Sequence, residues 1–402
     1  MLQRRSAPKL KSKEISPQSA IKFRESLALF KQSISKPLNL QSLKSQVATK
    51  ESLIKGARKK SLPEIELKPF RLISTKELDD LMVKMTKNIE DFKKAHLISE
   101  FKHLNKCENL KKIITGKLIG VGREGFVYEL PEDKKYVIKI SEIQDMGDLL
   151  KTTVESLASL ILANEVRKKN TIHFPITSDV FTCQNSHYDI PHFYMIMEKL
   201  EPLKFHTFSP TDQEILLFQI FASVYFMQEK FIMSHQDLHF GNIMLKRIPK
   251  INPYLNYQIN KKWYQVPNIG YAIVIIDFGF ATFSYKHEKY FFEDIDISFK
   301  PEFNISKNYR PFYDLYFFAK NFEYMFDKNI DPNIKNIVNI ITGKIPKQSR
   351  KDVRPKPGLI LPHYDATSLF EDLDKLSNVW TPKTEKWPFT NKWFSLSPVD
   401  KI

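Results

Sequence analysis

Apolar positions recur at three- and four-residue spacing through residues 75–112. Leu78, Leu81, Met82, Met85, Ile89 and Phe92 share one stripe there, which predicts a helix. The period then changes. Ile113–Ile119, Phe126–Leu130 and Tyr136–Ile140 are short runs rich in β-branched and aromatic residues. Pro131–Lys135 separates the last two, so they predict a hairpin. Leu149–Val166 predicts a helix and Phe193–Met197 a strand. Thr211–Glu229, carrying Ile215, Leu216, Phe218, Ile220, Phe221 and Val224, predicts a long helix, and Tyr271–Ile276 a buried strand. Between residues 243 and 276 a stretch with Pro249, Pro253, Trp263, Tyr264 and Pro267 reads as an extended hairpin. Residues 311–342 read as helical and aromatic. Beyond residue 345, scattered Pro and Trp give no assignable pattern, and no internal repeat is visible.

Composition narrows the class. The chain has 402 residues and is 42% hydrophobic with 31 Phe, enough for a sizeable core and too much for disorder end to end. Cys107 and Cys183 cannot make a disulfide framework, and no CxxC or Cys/His cluster points to zinc. This usage favours a reducing, intracellular setting. The longest apolar runs, Leu157–Ala163 and Tyr271–Ile276, are core-sized, so no transmembrane segment is expected, and the first residues lack a signal-peptide core.

The net charge of +16 is unevenly spread. Residues 1–70 hold sixteen Lys/Arg against five acids, a balance of +11. This arm is rich in Ser, Lys, Gln and Pro and is expected to be mostly disordered, with Ala20–Phe30 as a short amphipathic exception. Its one-signed charge suits nucleic acid or another polyanion, though no interleaved aromatics favour base stacking. A solubilising tail is the plainer alternative. Ser6, Ser12 and Ser61 lie near its cations as candidate autophosphorylation sites.

Four constellations carry chemistry. Gly120-Val121-Gly122-Arg123-Glu124-Gly125-Phe126-Val127 has strand text on both sides, so it reads as a glycine-rich β-hairpin whose backbone can approach phosphates. Lys139 is the cation of an otherwise apolar strand and needs a carboxylate. Glu155, inside the apolar text Val154–Ala163, is the favoured partner; Glu165, beside Arg167, Lys168 and Lys169, is expected to be solvated. Ser234-His235-Gln236-Asp237-Leu238-His239-Phe240-Gly241-Asn242 places an Asp five residues before an Asn, a carboxylate for a hydroxyl and an amide oxygen for a metal. Ile275-Ile276-Asp277-Phe278-Gly279 sets a carboxylate after a buried strand, where it can take Mg²⁺.

In this order the motifs resemble the eukaryotic-type Ser/Thr protein kinases over roughly residues 113–345. The resemblance implies an α+β, bilobal fold: a small β-rich N-lobe over 113–200 and a larger helical C-lobe over 201–345. A helical extension, 71–112, and the arm precede them, and an unassigned segment, 346–402, follows. It implies ATP and Mg²⁺ (or Mn²⁺) as cofactors and protein Ser/Thr hydroxyls as acceptors. Gly120, Gly122, Gly125 and Val127 would cover the triphosphate, which Lys139 and Glu155 orient. Asp237 would be the catalytic carboxylate, with Asn242 and Asp277 on the metal. Met197 would be the gatekeeper of a hinge whose Glu198 and Leu200 backbone faces adenine. His235, His239, Gly279 and Asp314 would support them, Asp314 as a helix carboxylate bracing the catalytic loop.

Departures from that pattern are informative. Gln236 stands where an Arg usually pairs with a phosphorylated activation loop, so that switch is not expected. His239 replaces the usual Lys, a weaker phosphate clamp when neutral. Val137 replaces a small residue and tightens the adenine pocket. Lys300-Pro301-Glu302 is the nearest text to Ala-Pro-Glu. A His at 239 is a feature of haspin-like kinases, of aminoglycoside-phosphotransferase-type enzymes and of kinases from large cytoplasmic DNA viruses. Glu155–Leu162, Thr171–Pro175 and Gly270–Ala281 look most like the iridovirus kind, which implies host cytoplasm and packaging in virions. The competing readings are a pseudokinase scaffold, a small-molecule kinase and a basic polyanion-binding core protein. The scaffold would lose Lys139, Asp237, Asn242 or Asp277, and all four are present.

Overall fold

The glycine-rich text folds into the first hairpin of a sheet. β1 (Leu118–Gly122) pairs antiparallel with β2 (Gly125–Glu129), with Gly120 opposite Val127 and Gly122 opposite Gly125. Of the strand expected at Ile113–Ile119, residues 116–119 are described, and the strand among them is Leu118 and Ile119. The first two glycines of the motif are ladder residues rather than turn residues, because a glycine without a side chain can still pair through its backbone. β3 (Tyr136–Glu142), β4 (Thr177–Thr182) and β5 (His192–Glu198) complete a five-stranded antiparallel sheet in the order β1-β2-β3-β5-β4. α1 (Met146–Arg167) leads from β3 to β4, with Asp148 in its first turn and Arg167 in its last, as the helix dipole favours. This computed structural model describes residues 87, 89–91, 116–122, 125–131, 133–143, 146–182, 192–285, 288–289, 309–326, 331–344, 361–374 and 382. The basic arm, both cysteines and Lys300-Pro301-Glu302 lie outside these residues. Of the helix expected over 75–112, residues 87 and 89–91 are described; they are helical, and Ile89 is buried.

The C-terminal lobe is built on α2 (Pro210–Phe231). Ser209 caps it by accepting from the Asp212 N–H, and Pro210 occupies its first position. The helix is apolar almost all round and is enclosed accordingly. Its fully buried amide Gln219 accepts from the Ile273 N–H at 2.9 Å and donates to the Tyr271 carbonyl at 3.3 Å. It thereby stitches the helix to a three-stranded sheet of β6 (Glu201–Pro202), β7 (Ile243–Arg247) and β10 (Tyr271–Ile275). Between β7 and β10, β8 (Tyr254–Ile259) and β9 (Lys262–Pro267) form the expected extended hairpin. Their alternation turns Tyr257 and Tyr264 inward onto Phe218 of α2, with ring centroids 5.1 and 5.5 Å away. β11 (Ser284–Tyr285) and β12 (Glu288–Lys289) form a short ribbon after it.

The helical text at 311–342 is two helices, α3 (Pro311–Met325) and α4 (Pro332–Thr342). Asp331-Pro332 is the cause: Asp331 accepts from the Asn333 N–H and starts a new helix with Pro at its first position. The unassigned C-terminal segment holds α5 (Ala366–Leu373), whose Ala366, Leu369, Phe370 and Leu373 are buried in the same core. Phe370 lies 5.2 Å from Phe218 and 5.6 Å from Tyr264, and Asp374 accepts from the Tyr264 hydroxyl at 2.7 Å. No helix among the described residues is long and apolar enough to cross a membrane.

The connection after α1 joins the lobes. Phe174 packs on Phe226 of α2, and the Ile275 N–H donates to the His173 carbonyl at 2.9 Å. The His173 ring is buried, with Nδ1 2.9 Å from the Ile273 carbonyl and Nε2 3.1 Å from the Tyr257 hydroxyl. A carbonyl can only accept, so Nδ1 carries the proton and Nε2 accepts from the tyrosine. Burial pushes this imidazole down to about 4.

Two stability predictions follow from these local geometries. Ile232 ends α2 in the left-handed region (φ 48°), where a β-branched residue is strained, yet its side chain is 52% exposed. Ile232→Gly should raise stability by about 0.5–1 kcal/mol, visible as a higher midpoint in thermal unfolding. His173 takes its proton near pH 6.5 when unfolded and near 4 when folded, so protons favour the unfolded chain. Stability should therefore fall as pH drops from about 6.5 to about 4. His173→Gln should flatten that part of the pH–midpoint curve.

Candidate active site

Strand alternation decides which way Lys139 points. Ile138 and Ile140 on β3 join Tyr194 and Ile196 on β5 in a small cluster on one face of the sheet. Lys139 takes the opposite face, the one that carries Phe193 and Met195 into the main core beside α1. There Lys139 Nζ lies 2.5 Å from Glu155 Oε1 and 3.8 Å from Asp277 Oδ1. Burial pushes the Glu155 carboxyl up, and the Lys139 ammonium opposes that shift. Glu165 takes no part in this pair. Contrary to expectation it is buried, because the end of α1 folds over it: Asn170 and Lys168 donate to its carboxylate at 2.6 and 3.0 Å.

Asp277 follows β10 in the left-handed region, φ 65°, an unusual place for a non-glycine residue. Its neighbours hold it there. The Ile276 N–H donates to the Asn242 carbonyl at 3.0 Å, and the buried Phe278 ring sits between Phe174 at 6.2 Å and His235 at 5.0 Å. Burial would raise the Asp277 carboxyl, but Lys139 and Lys151 outweigh it and hold the group below the ordinary carboxylate value.

The loop that carries Asp237 hangs from α3. Asp314 is fully buried and accepts from the backbone N–H groups of His235 and Gln236, both at 2.7 Å. Burial pushes its carboxyl up, while the two backbone donors, His235 and Arg310 pull it back. The His235 ring runs between two segments, with Nε2 2.9 Å from the Ile276 carbonyl and Nδ1 accepting from the Asp237 N–H at 3.2 Å. Asn242 donates to the Asp237 carbonyl at 2.9 Å, which turns its amide oxygen the other way. The His239 ring is set by the Gly241 N–H, which donates to Nδ1 at 3.0 Å, leaving Nε2 3.6 Å from Asp237 Oδ2. A side chain at Gly241 would collide with that ring, its Cβ falling 2.8 Å from His239 Cε1.

Gln236, one of the departures, has a defined task. It sits at φ 63°, donates to the Phe280 carbonyl at 3.1 Å and accepts from Arg310 at 3.1 Å. Next to it, Ser234 and Thr282 exchange two backbone hydrogen bonds, both 2.9 Å. The chain after Asp277 is thus tied to the catalytic loop by neutral groups.

The glycine hairpin and the hinge frame the opening. Val121 on β1 is 64% exposed and Ile119 is exposed too, so an apolar edge faces outward from the hairpin. Val127, opposite Lys139, is half-buried. Met197, half-buried at the end of β5, pairs with the buried Val137. The Glu198 side chain accepts from the Ile176 N–H at 3.0 Å and from Lys246 at 2.7 Å, so its carboxylate fastens the hinge to both lobes. Lys199 pairs with Glu129 and donates its N–H to the Lys135 carbonyl at 2.7 Å; Leu200 is half-buried. The signal for the Glu198 contacts was absent from spacing. Lys151, missed as a site residue, stands one helical turn before Glu155, a spacing that could have found it.

The donor set around Asp277 suits a hard cation. Asp277 brings carboxylate oxygens and Asn242 an amide oxygen, and Mg²⁺ needs only one or two such protein ligands when nucleotide phosphates supply the rest. Among the described residues no group of three or more His, Cys, Asp or Glu could hold a metal alone.

This β-rich lobe and helical lobe, with a Lys–Glu pair, a braced loop carboxylate and a second carboxylate between them, define a eukaryotic-type protein kinase. The haspin-like kinase domain matches residues 1–351, and the chain belongs to that family. A stretch of 64 residues is 38% identical to a probable serine/threonine-protein kinase, 380R, of Invertebrate iridescent virus 6. That match covers 16% of this chain and 12% of the viral protein.

Three substitutions probe the frame. A Cβ on Gly125 would fall 1.9 Å from the Ile140 carbonyl oxygen, whereas on Gly120 the nearest atom is 3.5 Å away. Gly125→Ala should lower the thermal midpoint and Gly120→Ala should leave it nearly unchanged. Lys139→Met leaves Glu155 buried without its cation, which raises its folded-state pKa further above the unfolded value. Stability of that variant should drop by about 3 kcal/mol at neutral pH and recover as pH falls into the carboxylate range, because the protonated form is then cheap to bury. Thermal unfolding of wild type and variant across pH measures both.

Proposed function

We propose that this protein is a Ser/Thr protein kinase, transferring the γ-phosphoryl group of ATP to protein hydroxyls. The observation that carries the reading is the convergence of Lys139, Glu155 and Asp277 at 2.5 and 3.8 Å across from the Asp237–Asn242 loop. Family membership and the kinase named for the iridovirus relative support it.

Positioning and charge supply most of the catalysis in such transfer. Lys139, held by Glu155, orients the α/β phosphates beneath the Gly120–Gly125 hairpin, and the Glu198 and Leu200 backbone faces adenine. Asp237 orients the acceptor hydroxyl and accepts its proton as the oxygen bonds to phosphorus and the bond to the leaving ADP breaks. His239 presents its Nε2 beside that carboxylate, where it can donate to a phosphoryl oxygen. Asp277 and the Asn242 amide oxygen would hold Mg²⁺, or Mn²⁺, which when bound neutralises phosphate charge.

The basic arm is the proposed tether to nucleic acid or another polyanion. The proposal extends to a viral origin, action in host cytoplasm and packaging in virions; the organism of the iridovirus relative bears on the first of these.

The decisive experiment is transfer of labelled phosphate from ATP with Mg²⁺ to a generic basic protein. Wild type should label Ser or Thr. Asp237→Ala should lose the activity by about 10³-fold or more while still binding nucleotide. Nucleotide binding without transfer in wild type would overturn the reading in favour of a scaffold. Removing residues 1–70 should weaken salt-sensitive polyanion binding and leave peptide turnover intact.

A further inference from the structure

Lys151 has no role in the phosphotransfer scheme above, yet it sits against its most constrained segment. It lies on α1 four residues before Glu155, so the two share a face. Its ammonium is 4.0 Å from the centroid of the Phe280 ring. Its stem crosses Gly279 so closely that a Cβ built there would fall 2.6 Å from Lys151 Cε and 2.8 Å from Cγ. Gly279 is therefore the notch through which the lysine passes. Phe280 is held on its other side too, since Gln236 donates to its carbonyl at 3.1 Å. The charge of Lys151 also acts on both Asp277 and Glu155.

We propose that Lys151 is a positioning residue: by seating its stem on Gly279 and its ammonium on Phe280, it couples α1 to the segment that carries Asp277. The coupling runs in both directions. While Phe280 is in place, α1 stays where Glu155 reaches Lys139. While α1 is in place, residues 277–280 keep the left-handed turn at Asp277. A cation over an aromatic face at a partly exposed site is enough to move such a two-state arrangement about tenfold. Together with Gln236 this makes a link between helix and segment that contains no phosphate. The inference rests on the kinase reading for its catalytic consequence, and on geometry alone for the coupling.

The test compares wild type with Lys151→Met, which keeps a stem and loses the cation, and Lys151→Arg, which keeps a cation for the ring. Amide hydrogen exchange on the full chain reads the coupling without turnover. Lys151→Met should speed exchange about tenfold in residues 277–283 and leave the β8–β9 hairpin unchanged, and Lys151→Arg should stay near wild type. In peptide phosphorylation, Lys151→Met should lower kcat by about tenfold with KM for ATP within about twofold, and Lys151→Arg should recover most of it. In a Phe280→Leu background, Lys151→Met should add little, because the ring it needs is gone. Unchanged exchange at 277–283 in Lys151→Met overturns the proposal whatever the activity. Loss in the Arg variant equal to that in Met overturns it as well. Faster exchange at 277–283 in Lys151→Met, together with a wild type that transfers no phosphate, would sustain the coupling and refute the kinase reading instead.

Discussion

A buried carboxylate that must meet a cation governs this structure. Glu155 has left water on α1, and Lys139, from a strand on the far side of the sheet interface, is its direct partner, with Lys151 adding charge nearby. That requirement fixes the rotation of α1, the face on which β3 presents its lysine, and the depth at which the helix sits. Asp277 shares the same ammonium at 3.8 Å, so the second lobe is drawn to the same point. The convergence of Lys139, Glu155 and Asp277 is thus a by-product of neutralising one desolvated charge.

The second lobe answers with a different device. Asp314 spends its buried carboxylate on two backbone N–H groups, and this suspends His235 and Gln236 from α3. From there each side chain reaches onward: His235 to the Ile276 carbonyl, Gln236 to Phe280. The loop carrying Asp237 and the segment carrying Asp277 are consequently one hydrogen-bonded unit. Its connectors are backbone amides, a carboxamide and an imidazole, groups whose geometry is set by folding alone.

Much of this was legible in the chain because local rules and the global fold agree there. The strand–glycine–strand text, the single lysine of β3 and the spacing Asp237–Asn242 each have one good structural solution. Asp314 was legible only through resemblance, since an Asp amid aromatic residues on a helix has no local signature. Glu165 misled because its charged neighbours in sequence turn back to hydrogen-bond it rather than carry it into water. β1 runs on through Gly120 and Gly122 because a glycine without a side chain still pairs through its backbone. α5 escaped notice between prolines, although Asp365 caps it by accepting from the Ser368 N–H and its apolar residues keep helical spacing.

The hairpin inserted between Asn242 and Asp277 brings a consequence for how the chain is made. Its inner tyrosines rest on α2 and are closed over by α5, through contacts such as Tyr264–Asp374 that span 110 residues. A chain emerging from the ribosome presents Asn242 and Asp277 long before the helix that seals the lobe beneath them. Until Ala366–Leu373 has been synthesised, the aromatic face of α2 has no lid, and the lobe depends on its own most distant contacts to become complete. The lobe that carries Asp237 and Asp277 is closed by a helix that follows them by about ninety residues or more.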